Sequence, residues 1–212
     1  MRYRWILVPL LLPLVLTGTA CDGKIRPITA IFMLDSSASS YQHRADAIAS
    51  VKMLTQDLQR NIDHVAVYRL NNEVNNLYTG DPIKRDLKTV LDTYLNLPQD
   101  KAGTAYGTAL LRGLDEAKLA SRRGDLVALF VLGDGADETV SSGQNLDDGV
   151  LNRVEHEFPK DGVIAFLYAD PKYSDRIYRR LHGVMDTRFR SLTPQTSRNM
   201  QIIREIYGLL GR

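Results

Sequence analysis

Apolar residues fall along this chain in two alternating rhythms. Nearly continuous apolar runs occupy Ile28–Leu34, His64–Leu70, Leu126–Leu132 and Val163–Tyr168, and such runs belong to strands covered on both faces. Between them apolar residues recur every three to four positions: Ile48, Val51, Leu54 and Leu58; Leu110, Leu114 and Ala117; Leu146, Val150 and Val154; then Met200, Ile203, Ile206 and Leu210. That spacing lays one stripe along a helix, so each set predicts an amphipathic helix facing a sheet. Val74–Tyr78 reads as a short edge strand. Thr187–Leu192 reads as a sixth strand, reached through a helix that ends at His182-Gly183, since glycine commonly stops helices. Strands and helices taking turns predict an α/β fold, a single doubly wound, mostly parallel sheet of about six strands flanked by helices. No repeat, low-complexity tract or linker divides residues 28–212, which are expected to form one domain.

Residues 1–21 depart from this pattern. Arg2 and Arg4 precede the apolar stretch Ile6–Leu16, followed by Thr17-Gly18-Thr19-Ala20-Cys21; basic, apolar and small in that order is a secretory signal. The apolar stretch is about half of the roughly 20 residues a membrane-crossing helix needs, and Pro9 and Pro13 interrupt it. Leu16–Cys21 resembles a bacterial lipobox, with Gly18 where that motif prefers Leu. The resemblance implies that Cys21, the single cysteine of the chain, receives lipid (diacylglyceryl, palmitate) and becomes the first mature residue. Two or three acyl chains anchor stably, because each buried methylene contributes about 0.8 kcal/mol. Residues 22–27 would then be a tether of roughly 20 Å, at about 3.3 Å per extended residue. The expected location is the bacterial cell membrane, lipid-anchored, with the domain facing the periplasm or exterior. Asp22 resembles the inner-membrane retention signal of enterobacterial lipoproteins.

Charge removes one class of partner. The chain has 27 Lys+Arg against 25 Asp+Glu, and loss of Arg2 and Arg4 with the leading segment leaves 25 of each. No basic surplus remains to neutralise a row of phosphates, so nucleic acid is not an expected partner.

Polar residues gather directly after the apolar runs, where open α/β sheets bind ligands. Asp35-Ser36-Ser37-Ala38-Ser39 follows the first run. Asp35, Ser37 and Ser39 alternate, so in an extended turn one carboxylate and two hydroxyls can face one point. Gly103-Thr104-Ala105-Tyr106-Gly107 leads into a helix and supplies a further hydroxyl, and Gly133-Asp134-Gly135 follows the run Leu126–Leu132. Hard divalent cations take such oxygen ligands.

The pattern Asp-x-Ser-x-Ser, a distant Thr in a Gly-Thr loop and an Asp-Gly pair after a strand resembles the metal-ion-dependent adhesion site (MIDAS) of von Willebrand factor A (vWA) domains. The resemblance covers residues 26–192 in element order; the expected closing helix Gln195–Leu210 agrees only in type. Two departures are Ser36 and Ala38 in place of frequent glycines, and Gly133 in place of the frequent Thr. The likeness implies that Asp35, Ser37, Ser39, Thr104 and Asp134 bind Mg²⁺, or Mn²⁺ or Ca²⁺, and that a protein partner completes the shell with an Asp or Glu carboxylate. Tyr41, Tyr106, Asp137, Glu138 and Asp170 would form the ligand rim. The implied function is binding, not catalysis. Two alternatives stand beside it: a metal-dependent hydrolase, or a structural vWA module that binds partners without metal. Against the first, His43, His64, His156 and His182 have no metal-binding spacing, and no Gly-x-Ser-x-Gly elbow or phosphate-binding glycine loop occurs.

Overall fold

The computed structural model describes residues 26–58, 63–98, 103–137, 143–185 and 188–193, with the single positions 205 and 208. The signal segment, Cys21, tether residues 22–25, Glu138 and most of the expected closing helix lie outside these; positions 205 and 208 are both helical.

Six strands form one sheet: β1 (Ile28–Asp35), β2 (His64–Leu70), β3 (Val74–Gly80), β4 (Leu126–Leu132), β5 (Val163–Leu167) and β6 (Phe189–Ser191). Their spatial order is β3-β2-β1-β4-β5-β6, and only β3 runs antiparallel to its neighbour. All eight residues of β1 are buried, as befits the central strand. Its side chains divide between two cores. Ile28, Ala30, Phe32 and Leu34 pack with Ile48, Val51 and Leu54 of α1 (Arg44–Asp57) and with Leu87 and Leu91 of α2 (Arg85–Leu95). Ile31 and Met33 pack with Leu110 and Leu114 of α3 (Tyr106–Arg122), in the core that also takes Val150 of α4 (Asp148–Glu157) and Ile177 of α5 (Pro171–Met185). Each fully buried Ile, Leu or Phe stabilises by about 1.5–3 kcal/mol, which lets the strand carry a buried carboxylate at its end.

Two elements differ from expectation. Helix α2 answers to the stripe Leu87, Leu91 and Tyr94, its buried residues, a stripe outside the periodic sets given above. Helix α5 runs through Gly183 to Met185, because Gly183 lacks the left-handed conformation of a helix-stopping cap. Among the described residues no helix is long and apolar enough to cross a membrane.

The strand order reverses on either side of β1, so the crevice between the carboxyl ends of β1 and β4 is the topological switch point, where such sheets bind ligands. The opposite edge is stitched for stability. Asp63 accepts the Ile28 amide at 2.9 Å, and buried Asp125 accepts the Thr29 hydroxyl at 2.7 Å and the Arg123 guanidinium at 2.9 Å.

Candidate metal centre

Three loops meet in that crevice. The first continues β1. Asp35 closes the strand, 3% exposed. Ser36 is tied to β2: its amide and hydroxyl donate to the Leu70 carbonyl at 2.9 and 3.2 Å, and its hydroxyl accepts from Arg69 Nε at 2.9 Å. Arg44, at the start of α1, donates to the Ser36 carbonyl at 3.3 Å and also to the Leu97 carbonyl, while the Tyr94 hydroxyl donates to the Asp35 carbonyl at 2.7 Å. Ser36 and Ala38 have no positive φ, so this loop does not need the glycines it lacks. The hydroxyls of Ser37 and Ser39 stand 3.1 Å apart.

The second loop precedes α3. Thr104, 2% exposed, donates its hydroxyl to Asp35 Oδ1 at 3.1 Å. The third follows β4. Asp134 is 6% exposed and its Oδ1 accepts the Ala136 amide at 3.0 Å. Gly135 has φ +83°, and a Cβ there would lie 2.5 Å from Ile177 Cδ1, so only glycine suits the turn.

The Asp35 carboxylate receives four donors. Oδ1 accepts the Ser37 amide at 2.8 Å and Thr104; Oδ2 accepts the hydroxyls of Ser40 and Tyr106, both at 2.7 Å. Burial nonetheless pushes its carboxyl above the usual carboxylate range, those hydrogen bonds opposing and the Asp134 charge adding. Burial and the same two aspartates hold the Tyr106 phenol well above its ordinary value, so it is a neutral donor. No lysine or arginine among the described residues forms an ion pair with Asp35 or Asp134. Two buried carboxylates thus share one pocket with no lysine or arginine of the described residues in ion-pair contact, an arrangement that favours entry of a cation.

The donor set fits a hard divalent ion. An octahedron with ~2.1 Å bonds has edges of about 3 Å, and the Ser37–Ser39 and Thr104–Asp35 oxygen pairs are both spaced 3.1 Å. Among the described residues no three His, Cys, Asp or Glu side chains cluster for metal; the oxygens here are two carboxylates and hydroxyls. An open cleft of about 600 Å³ lies above, lined by Ser39, Tyr41, Gln42, Asp134, Lys172 and Tyr173 among others.

Of the expected rim, Tyr41 is 45% exposed and lines this cleft, as does Asp170. Tyr106 is not a rim residue: it is 1% exposed and its hydroxyl sits at the centre, because the absent side chain of Gly133 leaves it room. Asp137 is not one either. Its two oxygens accept the backbone amides of Tyr106 at 3.2 Å and Leu146 at 2.7 Å, fixing the start of α3 against the loop before α4. Glu138 lies outside the described residues. Sequence reasoning missed Ser40, Arg44 and Tyr94 as supports of the first loop; the signal for Ser40 was a further hydroxyl directly after Asp-x-Ser-x-Ser.

No family model and no curated protein matches the sequence. Solved structures do match the fold. A conserved hypothetical protein BatB from Bacteroides thetaiotaomicron is 16% identical with a TM-score of 0.59, over 87% of this chain and 100% of that one. The pilus adhesin SpaC from Lactobacillus rhamnosus GG is 11% identical with a TM-score of 0.63, over 89% of this chain and 31% of that one. A von Willebrand factor type A protein from Catenulispora acidiphila is 15% identical with a TM-score of 0.52, over 85% and 42%. The chain thus spans under half the length of the last two. It has a von Willebrand factor A-type fold.

Proposed function

We propose that this chain is a lipid-anchored module of the bacterial cell envelope that captures a protein partner through a divalent cation held by Asp35, Ser37, Ser39, Thr104 and Asp134. The observation that carries this reading is the pair of buried aspartates with hydroxyls around them, neither in ion-pair contact with a lysine or arginine among the described residues, at the switch point of the sheet. Mg²⁺ suits the oxygen donors, with Mn²⁺ or Ca²⁺ as substitutes. Hydroxyl ligands satisfy coordination without cancelling charge, so the bound ion would still attract an Asp or Glu carboxylate from the partner. That side chain would enter through the cleft, and Tyr41, Gln42, Lys172 and Tyr173 would touch the residues beside it.

The ion should be visible in stability. At a hundred times its dissociation constant a ligand stabilises by about 2.7 kcal/mol, and at about 2–4 °C per kcal/mol for a chain of this size the full chain in detergent is expected to melt about 5–10 °C higher in saturating Mg²⁺ than in chelator. Capture of a partner from envelope extract is expected to disappear in chelator. Identical melting and identical capture with and without the ion would refute the reading.

Anchoring is tested separately. Cys21→Ser is expected to move the protein from the membrane fraction to the soluble fraction after cell breakage; unchanged sedimentation with membranes would exclude lipidation as the anchor.

A further inference from the structure

The hydroxyls of Tyr106 and Ser40 make the same connection twice. The Gly135 amide donates to Tyr106 Oη at 2.9 Å, and that hydroxyl donates on to Asp35 Oδ2 at 2.7 Å. The Asp134 amide donates to Ser40 Oγ at 3.1 Å, and that hydroxyl also donates to Asp35 Oδ2 at 2.7 Å. Two successive backbone amides of the third loop are thus relayed, each through one buried hydroxyl, onto a single oxygen of the first loop. Neither relay involves Thr104, Ser37 or Ser39.

The Tyr106 relay depends on a residue that is absent. A Cβ at Gly133 would stand 2.4 Å from Tyr106 Oη and 2.7 Å from Asp35 Oδ2. The phenol therefore reaches Asp35 only because position 133 has no side chain. Within the site it fills the space toward which a threonine there would project. Oδ2 is taken up by these two short bonds, whereas Oδ1 accepts the Thr104 hydroxyl and the Ser37 backbone amide, so the clasp leaves Oδ1 as the oxygen turned toward the first-loop backbone and Thr104.

We infer that Tyr106 and Ser40 are positioning residues forming a hydroxyl clasp, which holds the first and third loops together before any cation arrives and orients Asp35 toward it. The clasp itself requires no metal; its effect on cation affinity rests on the adhesion-site reading above. A site already assembled has less order to impose when the ion binds.

The test is amide-resolved hydrogen–deuterium exchange on the full chain in detergent and chelator, with Mn²⁺ titration as a second readout. Tyr106→Phe is expected to accelerate exchange at Gly135 at least ten-fold with little change at Asp134, and Ser40→Ala to do the converse. Tyr168→Phe is the control for simple loss of a buried hydroxyl: its Oη is 2.6 Å from Ser50 Oγ and donates to the Asp46 carbonyl at 3.0 Å, outside both relays. It should move neither amide. Mn²⁺ affinity should fall about ten-fold in each clasp variant and stay within two-fold in the control. Exchange that rises equally at both amides in either variant, or at neither, overturns the clasp. If the crossed pattern appears and Mn²⁺ affinity is unchanged, the orienting role is overturned. If the crossed pattern appears and the unaltered protein binds no Mn²⁺, the adhesion-site reading fails and the metal-free clasp stands.

Discussion

Asp134→Ala is expected to weaken Mn²⁺ binding about a hundred-fold, equivalent to ~2.7 kcal/mol, while lowering the melting temperature in chelator by no more than about 4 °C. The two effects separate because of what Asp134 touches. Its Oδ1 accepts one amide, from Ala136 at 3.0 Å, and lies 3.4 Å from the Tyr106 hydroxyl, which already donates to Asp35. Losing one modest hydrogen bond costs about 1 kcal/mol, whereas losing one of two carboxylates removes half the formal charge that draws in the ion. Asp35→Ala is expected to weaken Mn²⁺ binding as much but to be far less stable. Four donors would lose their acceptor, and buried unsatisfied donors cost about 1–3 kcal/mol each, partly offset because a buried charge disappears. A net loss of about 2–4 kcal/mol, or roughly 5–15 °C, follows. Calorimetric titration and thermal melts on both variants check this; an Asp134→Ala protein with Mn²⁺ affinity within two-fold of the parent would remove the third loop from the site.

Acidity adds a sign to the same experiment. Burial raises the Asp35 pKa above its ordinary carboxylate value in the metal-free fold, so the folded chain binds that proton more tightly than the unfolded chain. Its stabilising contribution is therefore full at low pH and is lost as pH climbs from the ordinary carboxylate range through the raised folded value. A bound cation favours the ionised form and reverses that loss. The difference in melting temperature between loaded and stripped protein should widen over this climb.

Much of this was legible along the chain, for identifiable reasons. The limits of β2 and β4 follow from apolar runs that stop at Asp63 and Asp125, whose carboxylates work at the strand starts. The ligand-type residues of the first and third loops were legible because they directly follow the strands that aim them. Helix α2 was harder: it covers the sheet near its β3 edge, so one thin stripe, Leu87, Leu91 and Tyr94, sits among charged and hydroxyl residues. The place of Tyr106 could not be read from periodicity, since its position facing the core is that of any buried aromatic. What sends its hydroxyl to the centre is a second residue, Gly133, remote in sequence, and the clue lay in that glycine standing where the resemblance leads one to expect threonine.

That pairing yields the second large effect: Gly133→Ala is expected to destabilise the protein by about 3 kcal/mol, a fall of roughly 6–12 °C. The new methyl would lie 2.4 Å from Tyr106 Oη, 2.6 Å from Asp35 Cβ and 2.7 Å from Asp35 Oδ2, all buried atoms. Overpacking of this kind typically costs about 1–3 kcal/mol, and three contacts at one point put the cost at the upper end. Gly133→Thr should be worse, although threonine is the residue the family resemblance favours there. Tyr106→Phe alone should cost about 1–2 kcal/mol, since it strands the Gly135 amide and takes a donor from Asp35. In the double variant the phenol oxygen that the methyl strikes first is gone, so the two costs should fall short of additivity by about 1 kcal/mol, as expected for residues in contact. The contacts with Asp35 remain, so rescue is incomplete. Denaturant melts of the four proteins in chelator measure that coupling. Strict additivity would mean that Gly133 is required by Asp35 alone, and that Tyr106 owes nothing of its position to the missing side chain.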